Sequence, residues 1–132
     1  MEYDMIFSYT RANAIEDGVL VDISNAAKEA GFRVPVAVTC AVWNQYIEWA
    51  EDDSDRQTIQ HQSGRLWDIL WMLSLACRRC PADRSELLFR LRVIPRDARS
   101  KRRTPKLITL KSVCGGGDSG EPVITVMMPD ED

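Results

Sequence analysis

Glu86-Leu87-Leu88-Phe89-Arg90-Leu91-Arg92-Val93 is the stretch whose reading decides the fold. Leu87, Phe89, Leu91 and Val93 recur at every second position, with Arg90 and Arg92 between them. Successive strand side chains point to opposite faces, so a period of two marks a strand with one buried and one wetted face. Two later runs share that period. Leu107–Val113 sets Ile108 and Leu110 against Thr109 and Lys111, and Val123–Met128 places Ile124, Val126 and Met128 on one side. A basic connection and a glycine-rich one join the three runs. The expectation is an antiparallel meander over about 86–94, 106–114 and 122–128.

Upstream the period is helical. Val42, Tyr46 and Trp49 share a face, with Trp43 and Ile47 beside it, which predicts an amphipathic helix over about 40–51. Glu51-Asp52-Asp53-Ser54-Asp55 then reads as a solvated helix end and turn. A second helix is expected over about 57–79, broken near Gly64 and ended by Pro81. It carries two apolar stripes, Leu66/Ile69/Leu70/Leu73 and Trp67/Trp71/Leu75, the pattern of a helix packed on two sides. On that reading Trp43, Trp49, Trp67 and Trp71 all belong to the core. The first third holds shorter elements. Thr10 caps a helical turn through Ala14–Asp17 that Gly18 stops, and Val19–Asp22 is a short β segment. Ser24 caps a helix over Asn25–Ala30 closed by Gly31, and Val34–Thr39 is extended, with Pro35 at a strand start or edge. The whole is α+β: short N-terminal αβ elements and two main helices packed on a three-stranded antiparallel sheet. Residues 1–132 form one domain, with a basic loop at 95–106 and an acidic tail at 129–132.

Hydrophobic residues at 45% and charged residues at 28% are ordinary globular values. The acidic start, Met-Glu-Tyr-Asp, is not a secretory leader, and the apolar stretch around Leu66–Cys77 is interrupted by Asp68 and too short to span a bilayer. A cytoplasmic protein with reduced Cys40, Cys77, Cys80 and Cys114 is expected, away from membranes. Cys77-Arg78-Arg79-Cys80 has the spacing of half a zinc site or a redox pair. The other cysteines are isolated, however, His61 is the only histidine, and a helix C-terminus opposes a thiolate. Gly115-Gly116-Gly117-Asp118-Ser119-Gly120-Glu121-Pro122 resembles a serine-protease loop but lacks an oriented histidine base, and turn chemistry explains it. An unrecognised enzyme site would use the carboxylates near Asp17–Asp22 or the thiols. No catalytic residue, metal or cofactor is assigned.

Charge carries the strongest functional signal. Residues 78–111 hold twelve Lys/Arg against three Asp/Glu, a net +9, while 1–77 carry −7 and 112–132 carry −5. Arg90, Arg92, Arg96, Arg99, Lys101, Arg102, Arg103, Lys106 and Lys111 are the candidate basic docking surface. Glu48, Glu51, Asp52, Asp53 and Asp55 form a weaker acidic one. Nucleic acid is one partner class for the basic surface. Against it stand a pI near 5.2 and the absence of aromatic residues interleaved with the basic ones.

Three stretches resemble one family of small bacterial proteins found on phages, plasmids and other mobile elements. They are Tyr9-Thr10-Arg11-Ala12 with Ala14-Ile15-Glu16-Asp17-Gly18-Val19-Leu20-Val21-Asp22, then Pro35-Val36-Ala37-Val38-Thr39, and finally Lys111-Ser112-Val113-Cys114-Gly115 with Gly120-Glu121-Pro122-Val123-Ile124-Thr125. The resemblance brings no established activity. It implies an accessory protein in a prokaryotic cytoplasm that binds a host protein or nucleoprotein, a restriction or CRISPR effector among the candidates. Direct nucleic-acid binding and an enzyme of unrecognised chemistry remain the alternatives.

Overall fold

The computed structural model describes residues 9–80, 84–96 and 102–131. Five strands form one sheet in the order β1-β2-β5-β4-β3. These are β1 (Leu20–Asp22), β2 (Val36–Thr39), β3 (Glu86–Val93), β4 (Lys106–Gly116) and β5 (Pro122–Met127). The expected meander is present as β3, β4 and β5, each antiparallel to the next. It does not stand alone, which corrects the three-stranded expectation. β2 runs parallel to β5, with Val36 opposite Ile124 and Val38 opposite Val126, and β1 closes that side antiparallel to β2. Val36, Ala37 and Val38 are all buried because β2 lies inside the sheet with both faces covered.

The helices are α1 (Arg11–Glu16), α2 (Ser24–Glu29), a short α3 (Cys40–Val42) running into a wide π-turn at Trp43–Ile47, α4 (Glu51–Arg56) and α5 (Gln62–Arg79). The anticipated 40–51 helix is therefore interrupted. Glu48 N–H donates to the Trp43 carbonyl, five residues back, at 2.8 Å, and Glu48 itself is extended. That widening buries Tyr46 and Ile47, and the extended step beyond it lets Trp49 turn inward as well. The acidic run is α4, not a turn. Three acids in its first turn suit the positive end of the helix dipole, and the Asp53 carboxylate accepts from Ala50 N–H at 2.8 Å. The main helix begins at Gln62 and not near 57, because Gln57 leaves helical geometry to bury its side chain.

Caps follow the sequence in part. Thr10 Oγ1 accepts from Asn13 N–H at 3.0 Å, as a capping threonine should. Ser24 does not cap; it is the first residue of α2. Asp22 Oδ1 accepts from its N–H and hydroxyl instead, and the Ser24 hydroxyl takes Val36 N–H from β2.

On one sheet face α5, α2 and the π-turn enclose the core. Ile69, Leu70 and Leu73 of α5 meet Val36, Val38, Leu110 and Val126 with no exposed surface. On the other face, α1 covers the β1–β2–β5 side. Arg11 reaches across to donate to Thr125 Oγ1 (2.6 Å) and the Ile124 carbonyl (2.8 Å). The outer face of β3 and β4 carries no such cover among the described residues.

Candidate functional site

The predicted charged surfaces meet, and where they meet they cancel. Arg96 follows β3 and turns back onto α4. Its Nε donates to Asp53 Oδ2 at 2.7 Å and its Nη1 to Glu48 Oε2 at 2.6 Å. Asp53 also accepts from Arg56 at 2.6 Å and is almost wholly buried. Burial by itself raises a carboxyl pKa. Here the Ala50 N–H and the guanidinium groups of Arg56 and Arg96 outweigh it, and Asp53 is pushed down to about 2. Arg65 of α5 lies beneath this cluster. It donates to the carbonyls of Ile47 (3.1 Å), Ile94 (2.7 Å) and Gln45 (3.3 Å), with its guanidinium 4.3 Å from the centre of the Trp49 ring. Burial draws Arg65 down to about 10. Gln57 Nε2 completes the clasp, donating to the Pro95 and Arg102 carbonyls. The clasp ties both ends of the β3–β4 connection to the helical layer. It pairs Arg96 with Asp53 and Glu48, so the two predicted charged surfaces neutralise one another at this point.

The remaining basic residues divide. Lys111 is mostly covered, donating to the Glu131 carbonyl with the Glu86 carboxylate 3.8 Å away. Glu131 in turn accepts from Thr39 Oγ1 and Met128 N–H, so the acidic tail is anchored as far as that residue. Arg102 folds its Nε onto the Thr104 carbonyl. Arg99 and Lys101 lie outside the described residues. Arg90, Arg92, Arg103 and Lys106 are exposed. Arg92 pairs across the ladder with Leu107 on the outer face, where Arg90 also stands, whereas Lys106 pairs with buried Val93 and so belongs to the opposite face at the start of β4. Glu51, Asp52 and Asp55 stay exposed on α4.

The other candidates resolve simply. Burial, with the Cys80 and Cys114 thiols nearby, pushes the Cys77 thiol up, away from the thiolate a redox pair needs. Among the described residues no group of His, Cys, Asp and Glu is placed to hold a metal ion. Ser119 sits in the β4–β5 turn, where Gly120 N–H donates to the Gly117 carbonyl and Gly120 takes a φ of 83°. His61 is exposed at the head of α5, which Arg65 ties to Ile94 at the opposite end of β4. A strand of that length separates the two by on the order of 30 Å. Asp17 accepts from Tyr9 Oη and Asp22 from Ser24. Among the described residues, no helix is long and apolar enough to cross a membrane.

Sequence reasoning missed the most conspicuous surface. Trp49 is buried and Trp43 half-buried, but Trp67 and Trp71 are 40% and 44% exposed, their rings stacked with centres 6.3 Å apart. The second stripe of α5 therefore faces outward and, among the described residues, is only partly covered. The signal was Asp68, which shares that side of the helix with the two rings. Beside the stripe, Met72, Leu75, Ala76 and Arg79 of α5 and the β3 segment from Glu86 to Arg90 line an open groove of about 870 Å³. Beyond it, on the outer sheet face, Leu88 is 62% and Leu107 48% exposed.

No curated protein and no solved structure matches the chain. One family model does, over residues 2–132, so the chain belongs to the family of unknown function DUF6573.

Proposed function

We propose that the protein is a non-catalytic binding protein that docks a protein partner on the flank built by α5 and β3. One observation carries this reading: two stacked, partly exposed tryptophans beside an open groove floored by Met72, Leu75 and Ala76. Each large aromatic ring left in water forgoes a substantial burial free energy, and buried tryptophan and arginine dominate the energetics of protein interfaces. The chain supplies both, since Arg79 and Arg90 line the groove. The setting in this reading is that of an accessory protein of a mobile element in a prokaryotic cytoplasm. It would act on a host protein or nucleoprotein, with restriction and CRISPR effectors as target classes. The resemblance of its motifs supports that setting. Affinity capture from bacterial lysate tests the docking flank. Trp67→Ala/Trp71→Ala should keep the fold, because Ile69, Leu70 and Leu73 are untouched, and lose the proteins that wild type retains. Equal capture by both contradicts it.

A second reading rests on four exposed cations, Arg90 and Arg92 on the outer face of β3 and Arg103 and Lys106 at the approach to β4. Four cations engaging phosphates give nucleic-acid binding whose logarithm falls by about 3 to 4 per tenfold rise in salt. A flat salt response removes this reading.

A further inference from the structure

We infer that the free edge of β3 is a strand-addition site for an extended peptide segment that alternates apolar and acidic side chains. The inference rests on the reading of the α5–β3 flank as the docking face and names the partner's chemistry.

β3 is the last strand of the sheet, and among the described residues nothing pairs with its outer edge. Cys114 N–H donates to the Ser85 carbonyl across to β4, which fixes the phase of the antiparallel ladder. Odd-numbered residues of β3 turn their backbone groups toward β4. Glu86, Leu88, Arg90 and Arg92 turn theirs outward. That edge presents alternating donors and acceptors over eight residues, the template an added strand uses.

The two sides of the edge differ in chemistry, and the difference selects the occupant. Toward the helical layer the edge opens into the groove floored by Met72, Leu75 and Ala76. On the other side stand the exposed side chains of Leu88, Arg90 and Arg92. An added strand points successive side chains to opposite faces. Its inward residues meet apolar surface, and its outward residues lie beside guanidinium groups. Arg79 and Arg84 add positive charge at the groove, and among the described residues Glu86 is the only acid lining it. Apolar-inward and acidic-outward is the complementary pattern.

The test uses the full-length protein labelled with nitrogen-15 and the blocked heptapeptide Val-Glu-Leu-Asp-Val-Glu-Leu as probe. Binding should shift the amides of Leu88, Arg90 and Arg92 and slow their exchange at least tenfold at saturation. Arg90→Glu/Arg92→Glu should weaken binding about tenfold, and so should replacing the probe's acids with lysine. Leu88→Pro removes one outward donor and leaves the ladder to β4 intact; it should abolish binding. Equal binding of the lysine peptide, or binding without change at those amides, overturns strand addition. So does a homodimer that Leu88→Pro dissolves, since that assigns the edge to a second copy. No binding of the probe, with partner capture still lost in Trp67→Ala/Trp71→Ala, also overturns it but leaves the docking reading standing. Loss of Trp67/Trp71 dependence removes that reading instead.

Discussion

Asp53 accepts from three groups, and its sequence context gives no hint of them. It sits in a run of four acids that reads as solvent-facing, yet the backbone of Ala50 and two arginines close on it. Its pKa in the folded protein lies below the ordinary 3.8, at about 2. The carboxylate therefore stabilises the fold in full above about pH 4 and loses that contribution as pH falls toward 2. Thermal stability of the wild type should drop across that window, and Asp53→Asn should flatten the drop. At neutral pH the variant should be less stable by about 2 kcal/mol, the scale of hydrogen bonds to a charged group left unmade. Circular-dichroism melts from pH 7 to pH 2 measure both. A variant that tracks the wild type at every pH contradicts the clasp. Asp55, two positions on and exposed, is the control and should change little.

The elements were legible where their determinants are local. Period two found β3, β4 and β5, and Thr10 announced α1, because alternation and capping are written within a few residues. Pairing between distant segments was not. β2 lies beside β5 although Val36 and Ile124 stand far apart in the chain, and no local pattern encodes a parallel neighbour. The split of the 40–51 helix was hidden for a related reason. The apolar spacing of Val42, Tyr46 and Trp49 serves a π-turn followed by an extended step as well as it serves a helix. Element docking offers its own test. Asp118 in the β4–β5 turn accepts from the N–H groups of Arg11 (2.8 Å) and Ala12 (3.0 Å), so the turn caps α1 from outside. Asp118→Ala should loosen α1 by about 1 kcal/mol, which speeds exchange of its amides roughly fivefold while the β3–β4 ladder stays unchanged. Uniform acceleration across the protein, or none, contradicts that docking.

At the scale of the molecule, segregation of charge along the chain is not segregation on the surface. The chain folds its basic segment back onto its acidic one, and Arg96 is spent on Asp53 and Glu48. Of the predicted basic surface, the cations exposed among the described residues are Arg90 and Arg92 on the outer face, beside Leu88 and Leu107, with Arg102, Arg103 and Lys106 at the approach to β4. The sequence did contain the better candidate, since Trp67 and Trp71 stand out in any reading. Assigning them to the core was the natural inference for a helix with two apolar stripes, and only the three-dimensional packing shows that, among the described residues, one stripe is left partly uncovered. Site-specific photo-crosslinking in bacterial cells tests the docking flank most directly, with p-benzoylphenylalanine placed at position 71 and, separately, at position 52 on the exposed acidic helix. The account predicts a discrete crosslinked partner from position 71 and none from position 52. A partner captured at 52 but not at 71 would contradict it.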